Sequence, residues 1–194
     1  YYNINFMWKK IISYIEKKST SKFSQYLLSL IAFVESIFFP IPPDIVLVPI
    51  IYFNKNKFLK TVINCTFFSV LGGAVGYLIG FYLFDLVKNF LDLEKQKMFF
   101  NFYDDWGLIA IFLGGFTPIP YKVIAITSGY AKFNFFSFIL LSVLSRGMRF
   151  IIIGYIVKKY GNLGISFLEK NKYLIFFIIP ILVIGLIYMV SKHA

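Results

Sequence analysis

Apolar residues in this chain run in long blocks, not in the three-and-four spacing of a helix lying half in water. Residues 61–84 and 173–191 contain no Asp, Glu, Lys or Arg at all. Each block supplies the roughly 20 residues that cross about 30 Å of hydrocarbon, so each is predicted to be a transmembrane helix. A third block, 133–157, is long enough but carries Arg146 and Arg149 in its middle.

Two further apolar stretches are interrupted by proline. Residues 26–53 contain Phe39-Pro40-Ile41-Pro42-Pro43-Asp44, and residues 106–131 contain Thr117-Pro118-Ile119-Pro120-Tyr121-Lys122. Proline inside a helix removes a donor and clashes with the preceding turn. Each stretch therefore reads as two half-helices joined by a turn. Broken backbone at membrane depth survives only against protein or beside a cavity, so both are expected to be re-entrant hairpins.

The flanks are polar. Residues 4–19 set Ile4, Trp8, Ile11, Ile12 and Ile15 on one face with Lys9, Lys10, Lys17 and Lys18 largely outside it, the pattern of an interfacial helix within 1–23. No signal-peptide pattern is visible, and the lack of an initial Met points to a trimmed start. Residues 85–105 hold five acids and three lysines and read as a surface helix and loop. Lysines cluster at 9–22, 54–60 and 158–172, which the positive-inside rule makes cytoplasmic. Residues 85–105 then lie outside, and the two hairpins enter from opposite faces. The C-terminus falls outside, against the weak signal of Lys192.

The proline turns also align with each other at an offset of 78, and the helices that follow align at 73: Ser69-Val70-Leu71 with Ser142-Val143-Leu144, and Tyr82 with Tyr155. Chance likeness between Phe-rich segments is the plain alternative. The recurrence of Pro-Ile-Pro at the same place in both units favours an inverted repeat, the pattern that places a transport site near the midplane. The architecture expected is thus all-α and membrane-integral, with two opposed Pro-broken hairpins and about three transmembrane helices.

Composition agrees. Of 194 residues, 59 % are hydrophobic and 15 % charged, against about 25 % charged in soluble domains. A net charge of +11 would suggest nucleic acid in a soluble protein, but here the lysines sit between apolar blocks, so no nucleic-acid partner is expected. One cysteine, Cys65, and one histidine, His193, exclude a Cys/His metal site and a His-based catalytic triad. No phosphate-binding glycine loop is present. No cofactor, metal or enzymatic activity is expected. Gly72, Gly76 and Gly80 repeat every fourth residue and should let helices approach closely, as should Gly114-Gly115.

Candidate chemistry lies in the charges surrounded by apolar sequence: Glu35, Asp44, Lys122, Arg146 and Arg149. Each costs at least ~2.5–3.5 kcal/mol at the bilayer centre, so each needs a partner or a wet cavity. Glu35 and Asp44 flank the first turn at similar depth; two close carboxylates do not both ionise cheaply, which suits proton uptake. Capping a half-helix or pairing with lysine is the alternative. Lys122 occupies the repeat position of Asp44, and facing hairpins would pair the two. Arg146 and Arg149, three apart, share one helix face and are too deep to snorkel. They are the only arginines among 20 basic residues, and guanidinium binds phosphate or carboxylate with two prongs. They either receive an anionic headgroup or bridge to Glu35 and Asp44 to hold the hairpins.

Glu35-Ser36-Ile37-Phe38-Phe39-Pro40-Ile41-Pro42-Pro43-Asp44, Gly115-Phe116-Thr117-Pro118-Ile119-Pro120-Tyr121-Lys122 and Arg146-Gly147-Met148-Arg149-Phe150 resemble the DedA family, also described by its VTT domain, and more closely its short YqaA-like branch. The resemblance covers about 24–160. It implies opposed re-entrant hairpins and movement of lipids across a bilayer, including undecaprenyl phosphate recycling, phospholipid flipping or scrambling, and proton-dependent membrane homeostasis. The family's acidic residues of the first hairpin map onto Glu35 and Asp44, and its basic residue after the second proline turn onto Lys122.

The function expected is a membrane lipid translocator of flippase or scramblase type in the bacterial cytoplasmic (inner) membrane. Lys122, Arg146 and Arg149 would bind the headgroup phosphate, Glu35 and Asp44 would couple to protons, and Pro40, Pro42, Pro43, Pro118 and Pro120 would form the turns. A proton-coupled small-ion transporter and a non-transporting scaffold are the competitors. Membrane lipids are the partners expected, and a homo-oligomer is compatible with this reading.

Overall fold

The computed structural model describes residues 22–38, 42–87, 93–117, 120–163 and 170. The interfacial helix expected within 1–23, the spanning helix expected at 173–191, and Pro40 and Pro118 of the turns lie wholly or almost wholly outside them.

Among the described residues the chain forms six α-helices and no strand. They are α1 (Lys22–Glu35), α2 (Asp44–Phe53), α3 (Phe58–Val87), α4 (Leu93–Phe116), α5 (Tyr121–Tyr130) and α6 (Phe135–Tyr160), with a 3-10 turn at Lys55–Lys57 between α2 and α3. The order repeats: a helix, a proline turn, a ten-residue helix, then a long helix.

Local chemistry sets these boundaries. α1 stops five residues ahead of the first proline of the turn, and Ile37 and Phe38 close it through their N–H groups onto the Val34 carbonyl. Pro43 precedes α2 with φ −65°, the value a first helical turn needs and a place where no donor is lost. Asn134 caps α6, its side chain accepting from the Ser137 N–H at 2.9 Å and satisfying a donor with no partner inside the helix. At the other end Gly161 takes φ +56°, which ends the helix without the strain a side chain would bring. Lys158 and Lys159 occupy the last turn, where the helix dipole favours cations.

One boundary differs from the sequence reading. The segment expected to be a surface helix and loop, 85–105, is not separate from the apolar stretch that follows it: from Leu93 the chain runs as one helix to Phe116. Glu, Lys, Gln and Met at 94–98 are good helix formers, and Asp104 and Asp105 are exposed on the outer face while Tyr103 and Gly107 are buried. Charge on one side of a helix does not break it.

α3 and α6 are long and apolar enough to cross a membrane, at about 45 and 39 Å by the 1.5 Å rise. Much of their apolar surface points outward: Leu59, Ile63, Phe67 and Leu71 on α3, and Phe136, Leu140, Val143 and Ile151 on α6, are all exposed. A helix in a soluble core would hide such residues. This arrangement belongs in lipid.

α3 and α6 pack along each other. Each also carries the first helix of its own unit, α1 on α3 and α4 on α6. The ten-residue helices are exchanged: α5 packs on α3, and α2 packs more extensively on α6 than on α3. Glycine makes the closest approaches. A methyl on Gly72 would collide with the Phe33 carbonyl of α1, and one on Gly80 with the Ile126 carbonyl of α5. Gly129 is pressed in return against the Tyr77 backbone, so α3 and α5 touch main chain to main chain, as the glycine spacing predicts. Gly115 sits likewise against Ser145.

Two apolar clusters result. One joins Leu28, Leu47, Ile50, Cys65, Phe150 and Val157 with their neighbours; the other joins Tyr77, Ile111, Tyr121, Ala125 and Phe138. Along α6 the two arginines fall between Phe138 of the second cluster and Phe150 of the first.

Candidate functional site

Arg146 and Arg149 both turn inward and are buried, as their spacing on one helix face requires. Each connects α6 to both proline-broken helix pairs.

Arg146 donates from an Nη atom to Glu35 Oε2 at 2.9 Å and from Nε to Ser69 Oγ at 2.7 Å. Ser69 Oγ is 3.0 Å from Ser36 Oγ, and Ser36 donates to the Ala32 carbonyl at 2.9 Å with a longer contact of 3.3 Å to Glu35 Oε2. The rings of Tyr121 and Phe150 each lie 4.9 Å, centroid to Cζ, from the guanidinium, a separation at which cation–π attraction acts. Tyr121 in turn rests against Gly73, where a methyl group would meet its phenol.

Arg149 pairs with Asp44 Oδ2 and donates to the Thr117 carbonyl at 2.8 Å. Asp44 is the first residue of α2, and Thr117 opens the second proline turn. Lys122 adds a third link between the two helix pairs, donating from Nζ to the Phe38 carbonyl at 3.0 Å.

The geometry corrects two expectations. Lys122 does not pair with Asp44: that carboxylate goes to Arg149, and the lysine goes to a main-chain oxygen. Nor do Glu35 and Asp44 act on each other as a couple; each has its own arginine. The physical reason is common to both. A buried carboxylate gains most from a fork-shaped donor whose position is fixed, and α6 delivers two such donors one turn apart.

Of the turn prolines that are described, Pro43 is buried at the start of α2, Pro42 is exposed, and Pro120 immediately precedes α5. Reading the sequence missed Ser36, Ser69, Tyr121 and Phe150 as partners of the arginine site. Ser69 lies in the repeated Ser-Val-Leu triplet and Tyr121 in the second turn motif, so their positions were visible although their roles were not. Among the described residues no group of three His, Cys, Asp or Glu side chains converges as a metal set.

Chemically, the site is a buried cluster of two guanidiniums, two carboxylates and bridging hydroxyls, with a lysine at its margin. Such pairs are costly to break one partner at a time, by about 3–5 kcal/mol, because a lone charge is left buried.

The VTT domain family matches residues 41–159, a span that contains Asp44, Lys122, Arg146 and Arg149 and begins just after Glu35. An uncharacterized protein of Haemophilus influenzae is 31 % identical over 179 residues, covering 90 % of this chain and 93 % of that one. An uncharacterized protein of Histophilus somni is 30 % identical over 175 residues, with 88 % and 91 % covered. One from Methanocaldococcus jannaschii is 29 % identical over 136 residues, covering 68 % of this chain and 83 % of its own. No solved structure matches the chain. With more than half its length matched, and the apolar helices and arginine cluster inside the matched span, the chain belongs to the VTT-domain, or DedA, family of membrane proteins.

Proposed function

We propose that the protein is a lipid translocator of flippase or scramblase type, moving an anionic phospholipid or a polyprenyl phosphate across the bilayer. It works as a multi-pass protein of the bacterial cytoplasmic (inner) membrane and does not alter the lipid chemically. The observation that carries this reading is the pair Arg146 and Arg149, buried in the middle of an apolar helix and each in contact with both proline-broken helix pairs, Arg149 through Asp44 and the Thr117 carbonyl, Arg146 through Glu35 and the Tyr121 ring. Charges at that depth mark substrate paths and proton relays.

Helix lengths support re-entrant hairpins. α2 and α5 have ten residues each, about 15 Å, or half the hydrocarbon thickness. The exchange of these short helices between α3 and α6 supports an inverted repeat built around a central site. With Lys122, Arg146 and Arg149 against Glu35 and Asp44, the cluster carries one net positive charge, suited to one phosphate. Headgroup phosphate dwells at these cations while the acyl chains stay in lipid. Protonation of Glu35 or Asp44 neutralises a counter-ion and releases its arginine, which is how a proton gradient enters the cycle.

A non-transporting scaffold is the competing reading, and one observation favours it: Arg146 bonds Glu35 and Ser69 and rests against the Tyr121 and Phe150 rings of its own protein. Reconstitution separates the two. Liposomes containing the purified protein should move a labelled anionic lipid between leaflets faster than empty ones, and a folded Arg146→Ala/Arg149→Ala variant should not. A folded wild type that moves no anionic lipid, with or without a proton gradient, removes the translocator reading.

A further inference from the structure

We propose that the phosphate is received by Lys122 and the first turn of α5, at the margin of the charge cluster, and that Arg146 and Arg149 are positioning residues that hold the helices around this site. This rests on the lipid-moving reading above and narrows its cation set to one residue.

Charge balance singles out Lys122. Arg146 forms one ion pair with Glu35 and Arg149 another with Asp44, so these four charges cancel. Both guanidiniums have further contacts within the protein, Arg146 with Ser69 and two rings, Arg149 with the Thr117 carbonyl. Lys122 carries the fifth charge. Among the described residues its ammonium meets no carboxylate; it donates to the main-chain oxygen of Phe38 at 3.0 Å. An ammonium has three donors, and this bond uses one.

Depth makes the missing counter-ion costly. Tyr121, the preceding residue, has its ring 4.9 Å from the guanidinium carbon of Arg146. Arg146 in turn lies about 17 and 21 Å from the two ends of α6 by the 1.5 Å rise. Phe38, which holds the ammonium, follows Glu35, the partner of Arg146, by three residues. A lysine stem does not carry its charge from there to the headgroup region. A cation at that depth needs an anion or a wet cavity.

The helix it starts adds to the demand. The first turn of α5 contains no acid, and Pro120 before it makes no side-chain cap, so the positive end of the helix dipole adds to the lysine. At the corresponding place in the first unit, α2 begins with Asp44 and carries its own anion. The repeat thus puts a cation where its mate has a carboxylate, and the second unit takes its anion from outside. Main-chain N–H groups of a helix N-terminus and an ammonium together suit a phosphate. The neighbouring side chains are apolar and open, Phe38 at 66 % and Val123 at 47 % exposure. An anion that carries hydrocarbon matches this setting, its phosphate at Lys122 and its acyl chains beside Phe38 and Val123.

The test is thermal unfolding of the full chain in a neutral detergent, titrated with dihexanoyl phosphatidylglycerol and, separately, with inorganic phosphate. Lipid movement in vesicles of the same variants is followed in parallel. Wild type should gain thermal stability with added lipid. Lys122→Met, which loses one exposed bond, should unfold within about 4 °C of wild type yet need at least about tenfold more lipid for the half-maximal gain. Lys122→Arg keeps the charge and should stay within about threefold. Lys97→Met, which removes an exposed charge far along the chain from the site, should respond as wild type does. Arg149→Lys should lower the unfolding temperature more than Lys122→Met and shift the lipid response less. If Lys122→Met responds as wild type does, or Arg149→Lys weakens the response as much, the assignment to Lys122 is wrong although lipid movement stands. An equal gain from inorganic phosphate, lost in Lys122→Met, supports the site and makes its ligand a free anion. If wild type gains stability from neither probe, the site falls, and movement in vesicles alone then decides the translocator reading.

Discussion

Tyr121 lies with its ring centroid 4.9 Å from the guanidinium carbon of Arg146, so the first residue of α5 steadies the ion pair that Arg146 makes with Glu35 of α1. The ring, not the hydroxyl, makes this contact. Tyr121→Phe should therefore unfold within about 1 kcal/mol of wild type, and Tyr121→Leu should lose at least about 1–2 kcal/mol through the missing cation–π attraction. Denaturation in detergent, followed by circular dichroism, measures both.

Glu35 and Arg146 should behave as one unit. Glu35→Ala or Arg146→Ala alone leaves a buried charge and should cost about 3–5 kcal/mol. The double variant should cost clearly less than the two losses added, because neither charge is then stranded. A double-mutant cycle on unfolding free energy gives the answer, and strict additivity would mean the pair contributes no coupling.

The glycines of α3 and α6 should respond according to what faces them. At Gly80 a methyl group runs into the Ile126 carbonyl, which as main chain moves only with its helix; Gly80→Ala should destabilise by more than about 1–3 kcal/mol, the range for overpacking. At Gly147 the nearest atom is a Thr66 methyl at 3.7 Å, ordinary contact, and Gly147→Ala should be neutral or slightly stabilising through helix propensity. Size-exclusion profiles and melting temperatures of the two variants, side by side, check the contrast.

Cys65 is the single cysteine of the chain and is wholly buried. A maleimide should leave the folded protein unmodified and label it after unfolding in dodecyl sulfate. The same assay certifies folding of the charge variants, since loosening α1 or α2 from α3 would open Cys65 to the reagent. Rapid labelling of native wild type would contradict the packing described.

Asn134→Ala should remove the cap on α6 and cost about 1 kcal/mol, with Asn134→Ser recovering most of it. Lipid movement should be unchanged in both, because the cap lies about three turns from Arg146. Unfolding and vesicle assays on the same preparations test the two halves of this statement.

Much of the architecture follows from linear pattern alone. Uncharged blocks specify α3 and the ends of α6, since no other environment rewards so many consecutive apolar residues. The clustered prolines at 40–43 and 118–120 mark the breaks, whereas the single Pro49 is carried inside α2. Gly72 and Gly80 announce close packing, and the burial of Arg146 and Arg149 follows from their place in an apolar run. Family membership was legible for the same reason: its motifs are local.

Pairing was not local. That Asp44 goes to Arg149 rather than Lys122, that Ser69 bridges Arg146 to Ser36, and that α2 and α5 are traded between the two long helices depend on which surfaces meet. Contacts between positions 105 and 111 residues apart leave no trace in the spacing of either partner. The sequence by itself determined that there would be buried charges, two proline-broken helix pairs and a membrane around them. Bridges from the arginines to Glu35 and Asp44 were one of the readings the sequence left open; only the tertiary structure decided that they form and which carboxylate each arginine takes, because a buried charge takes the best-placed opposite charge in three dimensions, and that position is set by how the helices pack.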